Sequence, residues 1–366
     1  MQDYSYEIAL QLIDGVGLNN AKHLIEHYGT GQLVFEDPDA LMPQMLHNAP
    51  DIVQRKHKAI EQAKREMAFI EEHNIRVAYY KTDDYPYRLR ECVDAPVLLY
   101  GLGNFDFNAK HIVSVVGTRQ PSDRGKETCR KFVTDLSELL PGVVIVSGLA
   151  YGIDVTAHRA ALDAGTPTII IPAHGLDRIY PAVHRNVAAQ AVTNGGILTE
   201  FTSGTTPERQ NFVQRNRIIA GLADAVVVVE SKERGGSLIT AEMADSYSRE
   251  VFAFPGRCDD TLSAGCNKLI KYNKARMIEN AEDLLLAMMW EQTRQISAVQ
   301  TELLPELEPD EQTVMDILRS APDGMHINQL VMESKLAFAA LSALAFTMEM
   351  KGLIKSLPGG MYRALK

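Results

Sequence analysis

The chain contains little cysteine and only one tryptophan. Its 366 residues include four cysteines, with no Cys-x-x-Cys pair and no histidines at zinc-ligand spacing. Disulfide bonds and a structural zinc site are therefore not expected, and sparse thiols fit a reducing compartment. We predict that the protein needs neither a metal nor a cofactor.

Long apolar runs are also missing. No stretch of about 20 apolar residues occurs. The first residues carry acidic side chains where a signal peptide would carry Lys or Arg. We therefore expect a cytoplasmic protein with no membrane partner.

Positive charge is scarce. The chain has 37 Lys and Arg against 47 Asp and Glu, a net charge of -10. Because Lys and Arg drive phosphate binding, composition alone does not suggest nucleic acid, and any such site must be a local basic patch. Hydrophobic residues make up 46%, as in ordinary folded proteins, and the length predicts two or three domains.

The apolar spacing divides the chain into segments of different character. The predicted segments are a helical domain at 1–78, a core domain at 79–288, a polar linker at 289–309 and a third domain at 310–366.

The helical segment contains a glycine turn, Gly15-Val16-Gly17-Leu18, typical of half of a helix-hairpin-helix element. Such a hairpin can bind a DNA phosphate. Asn19 and Asn20 occupy the positions where basic residues would strengthen that binding, so we favour an ordinary turn between helices.

The core segment alternates short Val/Ile-rich runs with helical stretches. The runs span residues 112–117, 143–148, 168–173, 197–201, 225–230 and 251–256. Near-continuous apolar strands are buried on both faces, which predicts an α/β fold with a Rossmann-like, doubly wound and mainly parallel sheet. Ligands of such sheets bind outside the carboxyl ends of the strands.

The third domain shows helical periodicity at 311–319, 327–334 and 337–351, followed by a hairpin around Pro358-Gly359-Gly360. Three helices and a hairpin predict a winged helix. A winged helix that binds DNA is one hypothesis. Its third helix, however, has no Lys or Arg before Lys351, which favours a protein-interaction role.

Glycine-rich turns follow several of the core runs, and their backbone N–H groups suit an anion. The binding residues predicted in these turns are Gly117, Thr118, Arg119, Ser147, Gly148, Gly236 and Ser237.

A local basic patch lies between the fourth and fifth runs. Arg209, Arg215 and Arg217 occur there with Phe212 and Asn216, in a chain that is otherwise acidic. Arginine neutralises phosphate and an aromatic ring stacks on an unpaired base, a combination suited to single-stranded nucleic acid.

The alternative is a structural role for the same residues. Phe212 would then belong to the core, and Arg215 and Arg217 would pair with carboxylates. The carboxylates available for such pairs are those of Asp154, Glu200 and Glu230.

Five motifs together resemble the DNA-processing protein A (DprA/Smf) family over about residues 80–285. They are Gly-Thr-Arg at 117–119, Ser-Gly-x-Ala-x-Gly-Ile-Asp at 147–154, Arg-Asn-Arg-Ile-Ile-Ala-Gly-Leu at 215–222, Gly-Ser-Leu-Ile-Thr-Ala at 236–241 and Phe-Ala-Phe-Pro-Gly at 252–256. The resemblance implies a homodimeric, non-enzymatic protein that binds single-stranded DNA and loads the recombinase RecA during natural transformation.

The resemblance also assigns residues. Residues 117–119 would form the strand-binding loop, Arg209 would occupy the position of the family's usual basic residue, and Phe212 would lie beside the DNA. Two departures concern the loops: Phe212-Val213 stands where Phe-Pro is common, and Gly235-Gly236-Ser237 stands where Ser-Gly-Ser is usual.

An enzymatic alternative comes from nucleotide-hydrolysing proteins similar to the LOG phosphoribohydrolases. Gly235-Gly236 and Glu242 approximate their motif, but its proline and third glycine are absent and Thr240 is offset by one position. We predict no catalytic residue, and we expect His158 and His174 to be structural.

The resemblance places a dimer interface late in the core domain. Leu269 and Ile270 are adjacent apolar residues between polar neighbours there, and we predict them as interface residues. The alternative is that both belong to the core of their own domain.

Overall fold

The computed structural model describes residues 2–13, 15–37, 40–41, 52–291, 307–321, 324–357 and 359–365. The chain forms two units, Met1–Thr293 and Arg294–Lys366.

The first unit begins with four helices, as the apolar period predicts. They are α1 (Ser5–Leu12), α2 (Gly17–Tyr28), α3 (Gly31–Glu36) and α4 (Ile52–Glu72). Gly15 and Gly17, in the turn between α1 and α2, have φ of +93° and +62°. The helices share one continuous hydrophobic core with the following sheet, and the Tyr4 and Tyr79 rings lie 5.7 Å apart. A separate domain ending at residue 78 stays a prediction.

A nine-stranded sheet is the centre of the first unit. Its strands are β1 (Arg76–Tyr79), β2 (Leu98–Gly103), β3 (Ile112–Val116), β4 (Val144–Ser147), β5 (Thr168–Ile170), β6 (Gly195–Thr199), β7 (Ala225–Val228), β8 (Glu250–Ala253) and β9 (Arg276–Met277). Their order is β1-β2-β6-β5-β4-β3-β7-β8-β9. The seven strands from β6 to β9 in this order run parallel, whereas β1 and β2 are antiparallel additions.

Helices cover both faces of this sheet. They are α5 (Tyr87–Arg90), α6 (Asp123–Leu139), α7 (Ile153–Asp163), α8 (Arg185–Thr193), α9 (Arg209–Leu222), α10 (Gly236–Ser246), α11 (Ala264–Lys271) and α12 (Ala281–Ala287), with a 3₁₀ turn at Ala182–His184. Along β3, Ile112 and Val116 pack in one core cluster, while Val113 and Val115 pack in another. This two-sided burial explains the near-continuous apolar runs.

The predicted doubly wound sheet is confirmed, and each of the apolar runs forms a strand. The sequence patterns did not predict three further strands. Two of them, β1 and β2, form an antiparallel edge, and β9 has only two residues. Trp290, near the start of the predicted linker, packs against His111, with ring centroids 4.4 Å apart and ring planes inclined by 50°.

The second unit is a winged helix, as predicted. It contains α13 (Pro309–Ser320), β10 (Met325–His326), α14 (Ile327–Ser334), α15 (Phe338–Met350), β11 (Ile354–Leu357) and β12 (Met361–Ala364). The strands form a sheet in the order β10-β12-β11. Pro358 of the predicted turn and residues 292–306 of the predicted linker lie outside the described residues.

No single helix among the described residues has the length and apolar composition of a membrane span. The pair α14 and α15 meets that criterion only in combination, and the two helices are bent by 109° at their junction.

Candidate nucleic-acid interface

A cleft of about 840 Å³ opens at the carboxyl ends of β3 and β7. These adjacent parallel strands are the switch point of the sheet, because β4 lies on one side of them and β8 on the other. Loops that leave a switch point in opposite directions leave a crevice between them, and ligands of open α/β sheets bind there. The cleft is lined by the loops after β3 and β7, by one side of α9, by the start of α10, and by Ala150 and Asp154 after β4.

The loop after β3 holds Arg119 at the rim of the cleft. A Cβ atom on Gly117 would lie 2.5 Å from Cγ1 of Ile153, so only glycine fits there. The Thr118 N–H donates to the Glu230 carbonyl at 2.7 Å, and the Thr118 carbonyl accepts from the Ile153 N–H at 3.2 Å. Arg119 therefore extends from a fixed backbone and is exposed.

Phe212 lies on α9 beside Arg119 and is half-buried. The Arg119 Cζ atom lies 5.2 Å from the Phe212 ring centroid, and the Arg215 Cζ atom lies 5.9 Å from it. The Tyr180 ring centroid is 6.1 Å away. Phe212 lines the cleft and belongs to none of the hydrophobic core clusters of the described residues. Its ring is therefore placed for partial stacking.

Arg215 lines the floor of the cleft but is almost fully buried. It is 3% exposed, and its Nη1 donates to the carbonyl oxygens of Gly148, at 2.8 Å, and Ile171. Burial lowers the pKa of this guanidinium to about 10, while the nearby Asp154 carboxylate opposes the shift. The predicted residues Ser147 and Gly148 are buried beside it, and the Ser147 hydroxyl donates to the Val115 carbonyl at 2.7 Å.

Arg217 was predicted to bind DNA, but its location favours the structural alternative. Arg217 is 5% exposed and forms an ion pair with the Glu200 carboxylate. Its Nη1 also donates to the Asp94 carbonyl. The side chain does not line the cleft, so contact with a phosphate there would break a buried ion pair.

The loop after β7 supplies two cations that the sequence patterns did not single out. Lys232 and Arg234 are exposed and line the cleft. The signal was present in the run Lys-Glu-Arg-Gly-Gly, directly before the predicted Gly236 and Ser237. Gly236 is exposed and begins α10, whereas Ser237 is buried and its hydroxyl donates to the Ser231 hydroxyl at 2.9 Å.

Arg209 is the first residue of α9, and it is exposed at the mouth of the cleft. The loop before it is held by the helical head, since the buried Glu66 carboxylate of α4 accepts from the Ser203 N–H at 2.9 and 3.0 Å. Asn216, two turns further along α9, is half-buried and also lines the cleft.

The charges around the cleft favour an anion. Within the described part of the chain, the exposed cations of the cleft form no salt bridge; these are Arg119, Arg209, Lys232 and Arg234. Three acidic residues also line the cleft: Glu233 pairs with Lys268 at 3.7 Å, and Glu242 is exposed. Asp154 is buried, and burial raises its pKa against the positive charge of Arg215. The cleft therefore presents local positive charge in an acidic protein.

The two residues predicted for the dimer interface lie on α11, away from the cleft. Leu269 is 8% exposed and belongs to the hydrophobic core of its own unit. Ile270 is half-buried and packs against the same core. For Leu269 this packing favours the alternative that it belongs to the core of its own domain, because a side chain already covered by its own unit has little surface for a partner; an interface through Leu269 stays a prediction.

Fold and cleft together define a class of protein: a Rossmann-like α/β protein with a basic, aromatic-bearing crevice at its switch point, joined to a winged helix. The chain belongs to the DNA recombination-mediator protein A family, whose family model matches residues 76–289. A model described as the DprA winged helix domain matches residues 298–360. The family resemblance found in the motifs is thereby confirmed.

Relatives and solved structures agree with this assignment. Protein Smf of Synechocystis is 32% identical over 99% of this chain and 98% of its own. The X-ray structure of DNA processing protein A from Streptococcus pneumoniae matches with a TM-score of 0.65 and 34% identity, covering 78% of this chain and 98% of that one.

A structure of DNA processing protein A from Helicobacter pylori matches with a TM-score of 0.53 and 28% identity, covering 59% of this chain and 95% of that one. That structure is described as giving insight into a unique single-stranded DNA binding mode.

Proposed function

We propose that this protein binds single-stranded DNA in the cleft at the ends of β3 and β7. The observation that carries the proposal is the set of exposed cations without salt bridges around the half-buried ring of Phe212. The cations match the phosphates of a nucleic-acid strand, and the ring matches an unpaired base.

The geometry supports a single strand better than a duplex. Bases within a duplex are stacked on each other and offer no free face, whereas an unpaired base can stack on an aromatic side chain. Phe212 lies inside a crevice between loops and does not project from a helix suited to a major groove.

Within this proposal the site residues have two kinds of role. Arg119 and Arg209 contact phosphates, with Lys232 and Arg234 extending the same positive surface, and Phe212 stacks on a base. The buried predicted residues hold the floor of the cleft instead of contacting DNA; these are Ser147, Gly148, Arg215 and Ser237.

The proposal extends to partners and place. We propose that the protein acts in the cytoplasm as a homodimer and loads the recombinase RecA onto incoming strands during natural transformation, as the family resemblance implies. An open part of α11 and β9 supports a dimer surface, because Tyr272 and Met277 are 63% and 55% exposed beside the half-buried Ile270. Within the described ranges, β9 is the last strand of the sheet and pairs only with β8.

Nucleotide hydrolysis is the second candidate, because Glu242 lines the cleft as the alternative motif requires. Glu242 is exposed, and the buried Asp154 carboxylate lies beside the positive charge of Arg215 and accepts weakly from the Ala150 N–H at 3.4 Å. Neither Glu242 nor Asp154 is therefore placed as the general base or the general acid that hydrolysis requires. We therefore propose that the protein acts by binding, without catalysis.

Substitution of the exposed arginines tests the site. Arg119→Ala and Arg209→Ala should each weaken binding of an oligothymidylate and lower the slope of log affinity against log salt by about 0.7, because each removes one phosphate contact. Arg130→Ala is the matched control, since Arg130 is an exposed arginine on α6 that pairs with Glu127.

The same proteins should be compared on duplex DNA and in a nucleotide-hydrolysis assay. Wild-type affinity and salt slope in both cleft variants would remove the proposed site. Turnover of nucleotides that is lost in Glu242→Gln would replace the proposal with the enzymatic alternative.

A further inference from the structure

Two tyrosines are exposed on the edge of the sheet that carries the cleft, and the proposed function uses neither of them. Tyr151 follows β4 and Tyr180 follows β5, and their residues are 50% and 47% exposed. Large aromatic rings with one accessible side are common where a protein contacts a ligand. Both rings can therefore take part in binding.

Both tyrosines adjoin the pair formed by Arg119 and Phe212. The Tyr180 ring centroid lies 6.1 Å from that of Phe212. Tyr151 precedes Gly152, where a Cβ atom would lie 2.3 Å from the Thr118 carbonyl oxygen and 2.7 Å from the Arg119 carbonyl carbon. The loop of Tyr151 thus packs directly on the backbone that holds Arg119.

Because of the strand order, one half of this edge carries basic residues and the other half carries tyrosines. Along the order β7-β3-β4-β5, the loop after β7 carries Lys232 and Arg234, and the loop after β3 carries Arg119. The loops after β4 and β5 carry Tyr151 and Tyr180 instead. Neighbouring strands are about 4.8 Å apart, so the edge changes from basic to aromatic within a few nucleotide lengths.

Buried histidines hold both tyrosines in place. The Tyr180 backbone N–H donates to Nε2 of His174 at 3.1 Å, which requires the proton on Nδ1, and that atom donates to the Gly175 carbonyl at 2.8 Å. His174 is 1% exposed. The Tyr151 ring contacts the His184 ring edge-on with centroids 5.0 Å apart, and His184 is hydrogen-bonded to the Leu149 carbonyl at 2.9 Å. The Tyr151 ring and the Tyr180 backbone are thereby held in place before binding, which reduces the conformational entropy that is lost on binding.

We propose that Tyr151 and Tyr180, together with Phe212, form a base-stacking ledge that extends the single-strand site over the ends of β4 and β5. This inference rests on the proposed function and deepens it. The cations bind phosphates on the half of the edge formed by β7 and β3, where Phe212 stacks on one base, and further unpaired bases stack on the half formed by β4 and β5. The site therefore takes several consecutive nucleotides.

Oligothymidylates of increasing length test the ledge in the full-length protein. Affinity of the wild type should rise with length until the ledge is filled. Tyr151→Leu and Tyr180→Leu should each lose about fivefold or more on long oligonucleotides and little on the shortest ones, because each removes one stacked base. Tyr151→Phe and Tyr180→Phe should retain wild-type affinity, and none of the four should change the salt slope, since stacking releases no counterions.

Tyr87→Leu is the matched control. Tyr87 is 46% exposed, but it precedes Arg88, which bonds to Asp224 and the Lys110 carbonyl at the opposite, amino edge of β7 and β3. Its replacement should leave affinity unchanged at every length. An equal loss in Tyr87→Leu and in the ledge variants would overturn the inference, because the loss would then be unspecific.

A second measurement locates the bases. A single abasic site is placed at each position of a long oligothymidylate in turn. At particular positions the missing base should weaken binding to the wild type. At one of these positions the loss of affinity should disappear in Tyr180→Leu, because the missing base and the missing ring would have stacked on each other. Penalties that remain the same in Tyr180→Leu at every position would refute the ledge. If Arg119→Ala binds with wild-type affinity, the proposed site itself is refuted. If Arg119→Ala binds weakly but both Tyr→Leu variants bind with wild-type affinity, only the ledge is refuted.

Discussion

The buried Arg215 allows a structural role to be separated from DNA contact. If Arg215 contacted DNA, Arg215→Met would weaken binding and leave stability unchanged. Its buried location predicts instead that Arg215→Met lowers stability. The substitution removes the donor to the Gly148 and Ile171 carbonyls and leaves the buried Asp154 without its main opposing charge. Met fills a similar volume, so the loss is mainly electrostatic.

The size of the effect follows from these lost contacts. Arg215 and Asp154 form no direct salt bridge within the described residues, but removing one of two interacting buried charges, together with the donor to two buried carbonyls, costs about 3–5 kcal/mol. For a unit of this size, that loss lowers the melting temperature by roughly 6–10 °C. Arg119→Ala removes an exposed side chain that forms no salt bridge to any residue the structure describes, so its melting temperature should stay within about 1–2 °C of the wild type.

The pH dependence of the same variant supplies an independent check. Burial raises the pKa of Asp154, so the folded protein binds this proton more tightly than the unfolded chain, and ionising Asp154 costs stability as the pH rises through the folded pKa. Without Arg215 this pKa should rise further. The stability deficit of Arg215→Met should therefore be smaller at pH 5 than at pH 8, and adding Asp154→Asn should reduce the deficit at pH 8.

Thermal and denaturant unfolding of the wild type, the single variants and the double variant, each beside an oligonucleotide titration, measures all of these quantities. A variant that melts like the wild type but binds poorly would show that Arg215 reaches the DNA. The account of the cleft floor given above would then be wrong.

Two further predictions concern residues for which the sequence left alternatives open. Phe212→Ala should weaken oligonucleotide binding by roughly 1–3 kcal/mol with an unchanged salt slope, because stacking is lost and no charge is removed; normal binding with early melting, measured on the same sample, would make Phe212 a core residue. Leu269→Arg should destabilise the protein and aggregate, because Leu269 is 8% exposed within its own core. A folded monomer by light scattering would instead support an interface through Leu269.

Strand positions could be predicted from the sequence because burial on both faces leaves a strong pattern. Residues Ala225–Val228 of the fifth apolar run are enclosed by core clusters on both sides, so the chain must be apolar at nearly every position there. The edge strands β1 and β2 are not enclosed in this way along their whole length. Arg76 is exposed and Gly103 is exposed, and their pattern does not stand out from a loop.

The glycine turns of the candidate site could be predicted for a similar reason, since the strand ends fix where the backbone must turn. Gly117 is required by the approach of Ile153, a constraint that leaves a visible glycine directly after a strand. Lys232 and Arg234 were missed because an exposed charged residue in a loop meets no local packing constraint that would mark it in the sequence. Only the strand order, which places β7 beside β3, shows that they face the same cleft as Arg119.

The three arginines of α9 show why the roles of charged residues need the fold. All three residues are arginines of the same helix, so the sequence does not distinguish them. Arg209 begins the helix and is exposed, whereas Arg215 and Arg217 are 3% and 5% exposed. Their helical spacing turns each toward a different neighbour. The ion pair of Arg217 with Glu200 joins residues 17 apart in sequence, and the bond from Arg215 to Gly148 spans 67. A local pattern contains no information about such distant partners, so a cluster of arginines predicts a basic patch without showing which members have their charge free for DNA.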